Sequence, residues 1–128
     1  MEKTFNFNNE LSGKVALVTG GTKGTGKAIA DRLLAAGAQA IITARNEPVI
    51  YDENLHFISA DLSRAEGTDK VVAEVRSKYG KLDILVNSLG GSETPAGGFS
   101  ALTDEHWKRL CRPTCLLRSD WIGVFCRR

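Results

Sequence analysis

The fold of this chain is indicated most clearly by the stretch Lys14-Val-Ala-Leu-Val-Thr-Gly-Gly-Thr-Lys-Gly-Thr-Gly-Lys27. Residues 15–18 form a short apolar run rich in β-branched residues, which predicts a buried parallel strand. Four glycines follow, and from Ala28 apolar residues recur at helical spacing up to Gly37, a helix stop. Glycines between a strand and a helix let the backbone approach a phosphate, which the free N–H groups of the helix then bind.

Two kinds of phosphate loop compete for this stretch. Thr19-Gly-x-x-x-Gly-Thr-Gly26 stands where a dinucleotide-binding loop would stand, although the usual G-x-G-x-x-G spacing is absent. Gly21-x-x-x-x-Gly-Lys27 has the spacing of a P-loop, but the next residue is Ala28, so the hydroxyl that would hold Mg²⁺ is missing. The pattern therefore favours a dinucleotide over a nucleoside triphosphate.

Further strands and helices alternate along the chain. Residues 39–44, 55–60 and 83–87 predict strands two to four, and a helix whose apolar face includes Val71 and Val75 lies before Gly80. Ser63 is the expected N-cap of that helix, with Glu66 at capping-box spacing, and Thr103 is the expected N-cap of a later one. Alternating strands and helices predict an α/β fold with a doubly wound parallel sheet.

In such a sheet, ligands bind at the carboxyl ends of the strands. The glycine loop follows strand one, Arg45 follows strand two, Asp61 follows strand three and Asn87 ends strand four. All four predicted sites therefore fall on one edge of the sheet.

At these positions the sequence resembles the short-chain dehydrogenase/reductase family, over about residues 11–110. Residues 19–26 match its T-G-x-x-x-G-x-G cofactor loop, Asp61-Leu62 its adenine-binding pair, and Asn87-Ser-Leu-Gly90, loosely, its N-N-A-G segment. The resemblance implies an incomplete Rossmann-type sheet of about four strands in the order 3-2-1-4, and hydride transfer between a carbonyl or alcohol and NAD or NADP. Asn87 would mainly tie the central strands together. The cofactor-binding residues that it implies are Gly20, Thr22, Lys23, Gly24, Thr25, Gly26, Arg45, Asp61, Leu62, Asn87, Leu89 and Gly90.

Charge favours NADP over NAD. NAD-binding folds place an acid after strand two, where it accepts both ribose hydroxyls and repels a 2′-phosphate. Here Arg45 stands at that strand end, and its planar guanidinium suits a phosphate. Lys23 adds a second positive charge beside the loop.

The catalytic Tyr-x-x-x-Lys of the family has no match in these 128 residues, because Tyr51 is followed at the fourth position by Leu55 and Tyr79 by Asp83. No catalytic residue is therefore assigned, and we expect this chain alone to be inactive. Resemblance ends near Leu110, where Pro113 would interrupt the expected helix. A frameshift or truncated gene copy near codon 110 explains the break, and a genuine divergent segment is the alternative.

Composition shifts at the same point. All three cysteines lie in the last 18 residues, whereas residues 1–110 carry 13 basic and 14 acidic side chains. We therefore divide the chain into a mobile lead-in over 1–12, a dinucleotide-binding half-domain over 13–110, and a tail over 111–128. The cysteine spacing predicts no metal site.

Net charge and the absence of certain sequence patterns limit the kinds of partner that we expect this chain to bind. The chain has a net charge of +2 and neither a basic stripe nor a membrane-length apolar run, so we expect no nucleic-acid or membrane partner. The first residues lack a signal-peptide pattern, and a cytoplasmic location is the expectation. An exposed edge on strand four would drive association or aggregation. The second hypothesis is a stand-alone nucleotide-binding or interaction module that docks through this edge without catalysis.

Overall fold

The computed structural model describes residues 8–47, 53–89 and 101–108. The elements are β1 (Val15–Thr19), α1 (Gly24–Ala35), β2 (Gln39–Ala44), β3 (Leu55–Ser59), α2 (Ala65–Tyr79) and β4 (Ile84–Asn87). The four strands form one parallel sheet in the order β3-β2-β1-β4, which confirms the predicted fold class and strand order. Residues 104–108 add one helical turn, and the Thr103 hydroxyl accepts a hydrogen bond from the His106 N–H (3.4 Å), as an N-cap does.

The sheet carries an apolar core on each face. All five residues of β1 are buried, since this strand is central and flanked by β2 and β4. Val71 and Val75 of α2 pack on one face against Leu17 and Ile41. Ala30 of α1 packs on the other face with Val18 and Ile42. A parallel sheet with a helix packed on each face is the doubly wound arrangement that the alternating pattern predicts.

The N-cap of α2 is not the residue that the sequence predicts. Arg64, not Ser63, occupies the N-cap position, and it caps without a side-chain hydrogen bond. The Ser63 hydroxyl instead donates to Asp61 Oδ1 at 2.6 Å, so the capping-box prediction is wrong. At the other end, Gly80 adopts a left-handed conformation (φ 69°) and ends the helix where the sequence predicts.

Part of the expected lead-in is held against the fold. The Leu11 N–H donates to the Ala36 carbonyl at the end of α1 (2.9 Å), and Glu10 lies 3.4 Å from Arg32. Residues 1–7 lie outside the described ranges, as do residues 48–52 of the predicted loop, residues 109–110 and the predicted tail over 111–128. No helix in the described ranges combines the length and apolar character that crossing a bilayer requires.

Asp83, the residue before β4, is hydrogen-bonded to the first residue of β1. Its Oδ2 accepts a hydrogen bond from the Val15 N–H (2.8 Å) and lies 3.1 Å from Lys81 Nζ. The Val15 bond, followed by the Lys81 ammonium, lowers the pKa of Asp83 below its usual 3.8. A carboxyl that is more acidic in the folded state stabilises the fold above the unfolded pKa, and this stabilisation is lost as the pH falls through the folded pKa.

We therefore expect Asp83→Asn to lower the free energy of unfolding at neutral pH and to flatten its acid dependence. Urea unfolding between pH 7 and about pH 3 measures both. The wild type should lose more stability than Asp83→Asn over the acid part of that range. Parallel pH profiles of the two proteins would contradict this role of Asp83.

Candidate functional site

The carboxyl ends of the four parallel strands meet at one edge of the sheet. Thr19 pairs with Thr43 of β2 on one side and with Asn87 of β4 on the other. Arg45 and Asp61 follow β2 and β3 at the same edge, because those strands run parallel to β1. The structure thus brings together the four positions that the sequence places at strand ends.

Close packing explains why Gly20 and Gly26 of the loop have no side chain. The Gly20 N–H donates to the Thr43 carbonyl (2.9 Å), and a Cβ on Gly20 would come within 2.9 Å of the Ser88 carbonyl oxygen. A Cβ on Gly26 would overlap the carbonyl of Gly20, since the first turn of α1 lies directly against the end of β1. These glycines allow backbone to meet backbone within the protein.

Gly24 has a different environment. Its φ is +53°, which disfavours other residues, and nothing lies within 4 Å of a Cβ built on it. It is the first residue of α1, a helix that has no acidic side chain in its first turn. The backbone N–H groups in the first turn of a helix have no partner within the helix, and the open space beside them at α1 fits an anion. The neighbouring side chains are also accessible, since Lys23 and Thr25 are exposed and Thr22 is half-buried.

The position of Lys27 argues against a P-loop. In a P-loop, the lysine after the last glycine reaches the phosphates. Here the Lys27 ammonium is bonded to Asp31 at 2.6 Å, one turn further along α1. The Lys27 ammonium is thus paired within α1, and Ala28 lacks the hydroxyl that follows the lysine of a P-loop.

Arg45 and Asp61 place opposite charges beside the loop. Arg45 is exposed, and its carbonyl accepts a hydrogen bond from the Ser59 hydroxyl (3.2 Å), which fixes its backbone to the end of β3. Asp61 Oδ1 accepts hydrogen bonds from the hydroxyl (2.6 Å) and the N–H (3.0 Å) of Ser63. These two bonds, in that order, lower the pKa of Asp61, and the charges of Arg64 and Arg45 lower it further. The carboxylate is thus ionised at neutral pH.

Leu62 contributes differently from Asp61. The whole residue is 3% exposed and packs in the core beneath α2. Leu62 therefore anchors this segment to the core and presents little surface at this edge. Gly67 in the following helix lies against the Asp61 carbonyl, which holds the backbone of this pair in place.

The end of β4 is tied to β1 by a residue outside the predicted binding set. The buried Thr19 hydroxyl donates to the Val86 carbonyl (3.4 Å) and accepts from the Ser88 N–H (3.1 Å). Asn87, to which the resemblance assigns this linking role, is exposed. A threonine that ends an otherwise apolar buried strand is the signal that could have identified Thr19.

The last segment of the predicted site follows β4. Leu89 is half-buried and packs against the core that α2 covers. Gly90 lies outside the described residues. Over the part of the chain that the structure describes, no group of three or more His, Cys, Asp or Glu side chains is placed to hold a metal ion.

Known proteins resemble this chain in sequence. The family model for "short chain dehydrogenase" matches residues 14–113. Dehydrogenase/reductase SDR family member 4 of Caenorhabditis elegans is 36% identical over 112 residues, which cover 78% of this chain and 42% of that protein. The 1,6-dihydroxycyclohexa-2,4-diene-1-carboxylate dehydrogenase of Pseudomonas putida is 33% identical over 93 residues, which cover 67% of this chain and 35% of that protein.

The fold has similar solved structures as well. The 3-ketoacyl-(acyl-carrier-protein) reductase from Brucella melitensis, complexed with NADH, has a TM-score of 0.77 and 30% identity, and the match covers 90% of this chain and 51% of that one. The chain thus spans between about a third and a half of the length of these relatives. With the family model matching most of its residues, and the glycine loop, Asp61 and the strand order in the expected places, this chain belongs to the short-chain dehydrogenase family.

Proposed function

We propose that residues 13–110 form the NADP-binding half of a short-chain oxidoreductase, and that the 128-residue chain by itself does not catalyse hydride transfer. Gly24 carries this proposal. It leaves open space at the N-terminus of α1, whereas the protein's own backbone lies against Gly20 and Gly26. A pyrophosphate in that space would be held by the helix N–H groups, with Thr22, Thr25 and Lys23 around it.

The choice of NADP rests on the charges of this chain. The Brucella relative contains NADH, so membership of the family leaves both cofactors open. Arg45 follows β2 and is exposed, and Lys23 is exposed at the N-cap of α1. Two cations beside the ribose position would bind a 2′-phosphate, and an acid that would repel it is absent from the end of β2.

The remaining site residues would bind the adenosine end of the cofactor. Asp61 would accept a hydrogen bond from the adenine 6-amino group, and Leu62 of the same pair would hold this segment to the core below the ring. Asn87, Leu89 and Gly90 would border the cofactor beyond the end of β4. When bound, the nicotinamide supplies the hydride chemistry, and the intact parent would reduce a carbonyl or oxidise an alcohol.

One observation favours a second candidate, an interaction module. In the described ranges β4 pairs with β1 along one side, and its apolar residues Ile84, Leu85 and Val86 remain half-buried rather than buried. A strand with an unpaired edge can add a strand from another chain or segment. In this candidate, β4 docks a partner and the nucleotide site is retained.

Calorimetric titration of the purified chain tests the proposed function. We expect NADP to bind, NAD to bind at least about tenfold more weakly, and Mg²⁺–ATP to show neither binding nor hydrolysis. Failure to bind either dinucleotide by a chain that is folded by circular dichroism would overturn the proposal. Equal affinities for NAD and NADP would overturn the assignment of NADP alone.

A further inference from the structure

Ser63 makes two hydrogen bonds to Asp61 that neither the loop motif nor the helix pattern predicts. Its hydroxyl donates to Asp61 Oδ1 at 2.6 Å, and its backbone N–H donates to the same oxygen at 3.0 Å. The hydroxyl does not cap α2, which begins at Ala65 with Arg64 at the N-cap. The short bond is therefore directed to the carboxylate rather than to the helix.

The two bonds from Ser63 leave the carboxylate with one occupied and one accessible oxygen. Oδ2 lies 3.8 Å from Arg64 Nε, a distance beyond a good hydrogen bond, and the Asp61 side chain is 45% exposed. An ionised carboxylate with one oxygen fixed by two donors has a defined direction for its second oxygen. That oxygen can accept a hydrogen bond from a ligand.

We propose that Ser63 is a positioning residue for adenine recognition: by fixing Oδ1 of Asp61, it aims Oδ2 at the 6-amino group. This inference rests on the proposed NADP function. It predicts that the hydroxyl of Ser63 affects the recognition of one exocyclic group more than the general affinity for dinucleotides.

The test compares NADP with its 6-oxo analogue, nicotinamide hypoxanthine dinucleotide phosphate. The analogue presents a carbonyl oxygen to Asp61 where NADP presents an amino group, and the two ligands share every phosphate. We expect the wild-type chain to prefer NADP by about tenfold, as expected for a hydrogen bond to a charged group, and Ser63→Ala to reduce that preference to about twofold. Ser63→Thr keeps the hydroxyl and should restore the preference.

Ser77→Ala is the matched control, because Ser77 is an exposed serine on α2 away from this edge. It should behave as the wild type with both ligands. A Ser63→Ala chain that keeps the full preference, or that loses affinity for both ligands equally, would overturn the positioning role. A wild type that binds both ligands equally would overturn this inference and leave the proposed NADP site standing, whereas no binding of either ligand would overturn both.

Discussion

Replacing Gly26 by alanine should destabilise the chain by about 2–3 kcal/mol, the cost of forcing an extra methyl group into a packed site. Gly26 lies in the first turn of α1, and a Cβ there would overlap the Gly20 carbonyl. Helix propensity predicts the opposite, since alanine is better than glycine by about 0.8–1.0 kcal/mol in a helix interior. The neighbouring atom is backbone and cannot rotate away, so packing should outweigh propensity.

Gly13→Ala is a useful control for Gly26→Ala. Gly13 has a φ of +77° with nothing within 4 Å of its Cβ position, so alanine there costs backbone strain of about 1–2 kcal/mol without a clash. Urea unfolding followed by circular dichroism measures both variants. A Gly26→Ala chain as stable as the wild type would show that α1 does not rest on the end of β1 in the way described.

Reversing the charge of Arg45 should have the largest effect on cofactor choice. We expect Arg45→Glu to weaken NADP binding by about 100-fold, the loss of charge-assisted hydrogen bonds to a phosphate together with new repulsion. NAD should bind as well as before or better, because a glutamate after β2 can accept the ribose hydroxyls. Calorimetric titration of both cofactors gives the two affinities.

Two further variants separate charge from geometry at Arg45. Arg45→Lys keeps the charge but loses the planar fork, so its affinity for NADP should lie between those of the wild type and Arg45→Glu. Lys14→Glu changes the net charge as much as Arg45→Glu does, but Lys14 lies before β1, at the opposite edge of the sheet. If Lys14→Glu weakened NADP binding as strongly as Arg45→Glu, overall charge rather than a 2′-phosphate contact would explain the effect.

The sequence predicts the sheet well for identifiable physical reasons. Residues 39–44 become β2 as predicted, since an apolar run between a helix stop and polar residues leaves little freedom in its bounds. The predicted fourth strand begins one residue late, at Ile84, because the Asp83 side chain accepts the Val15 N–H. Patterns of hydrophobicity contain no information about such a side-chain bond.

The site is predicted less completely than the sheet. The loop, Arg45 and Asp61 were identifiable because each follows a strand end, and parallel strands bring those ends together. The apolar periodicity starts at Ala28, but α1 begins at Gly24, and the close packing of Gly26 against Gly20 holds this first turn, which propensity alone disfavours. The partner of the Thr19 hydroxyl lies on β4, far along the chain, so the sequence marks Thr19 as unusual without giving its partner. Ser63 was assigned to the helix cap because its bond to Asp61 competes locally with capping, and the pattern does not show which partner wins.

Backbone amide NMR of the isotopically labelled 128-residue chain during an NADP titration tests the central claim most directly. The account predicts that the largest shifts occur at the amides of the glycine loop and the first turn of α1, with smaller shifts at Arg45 and Asp61. Amides at the opposite edge, such as those of Lys14 and Asp83, should remain unchanged. A well-dispersed spectrum with no shifts in the loop at saturating NADP would contradict the assignment of this edge as a dinucleotide site.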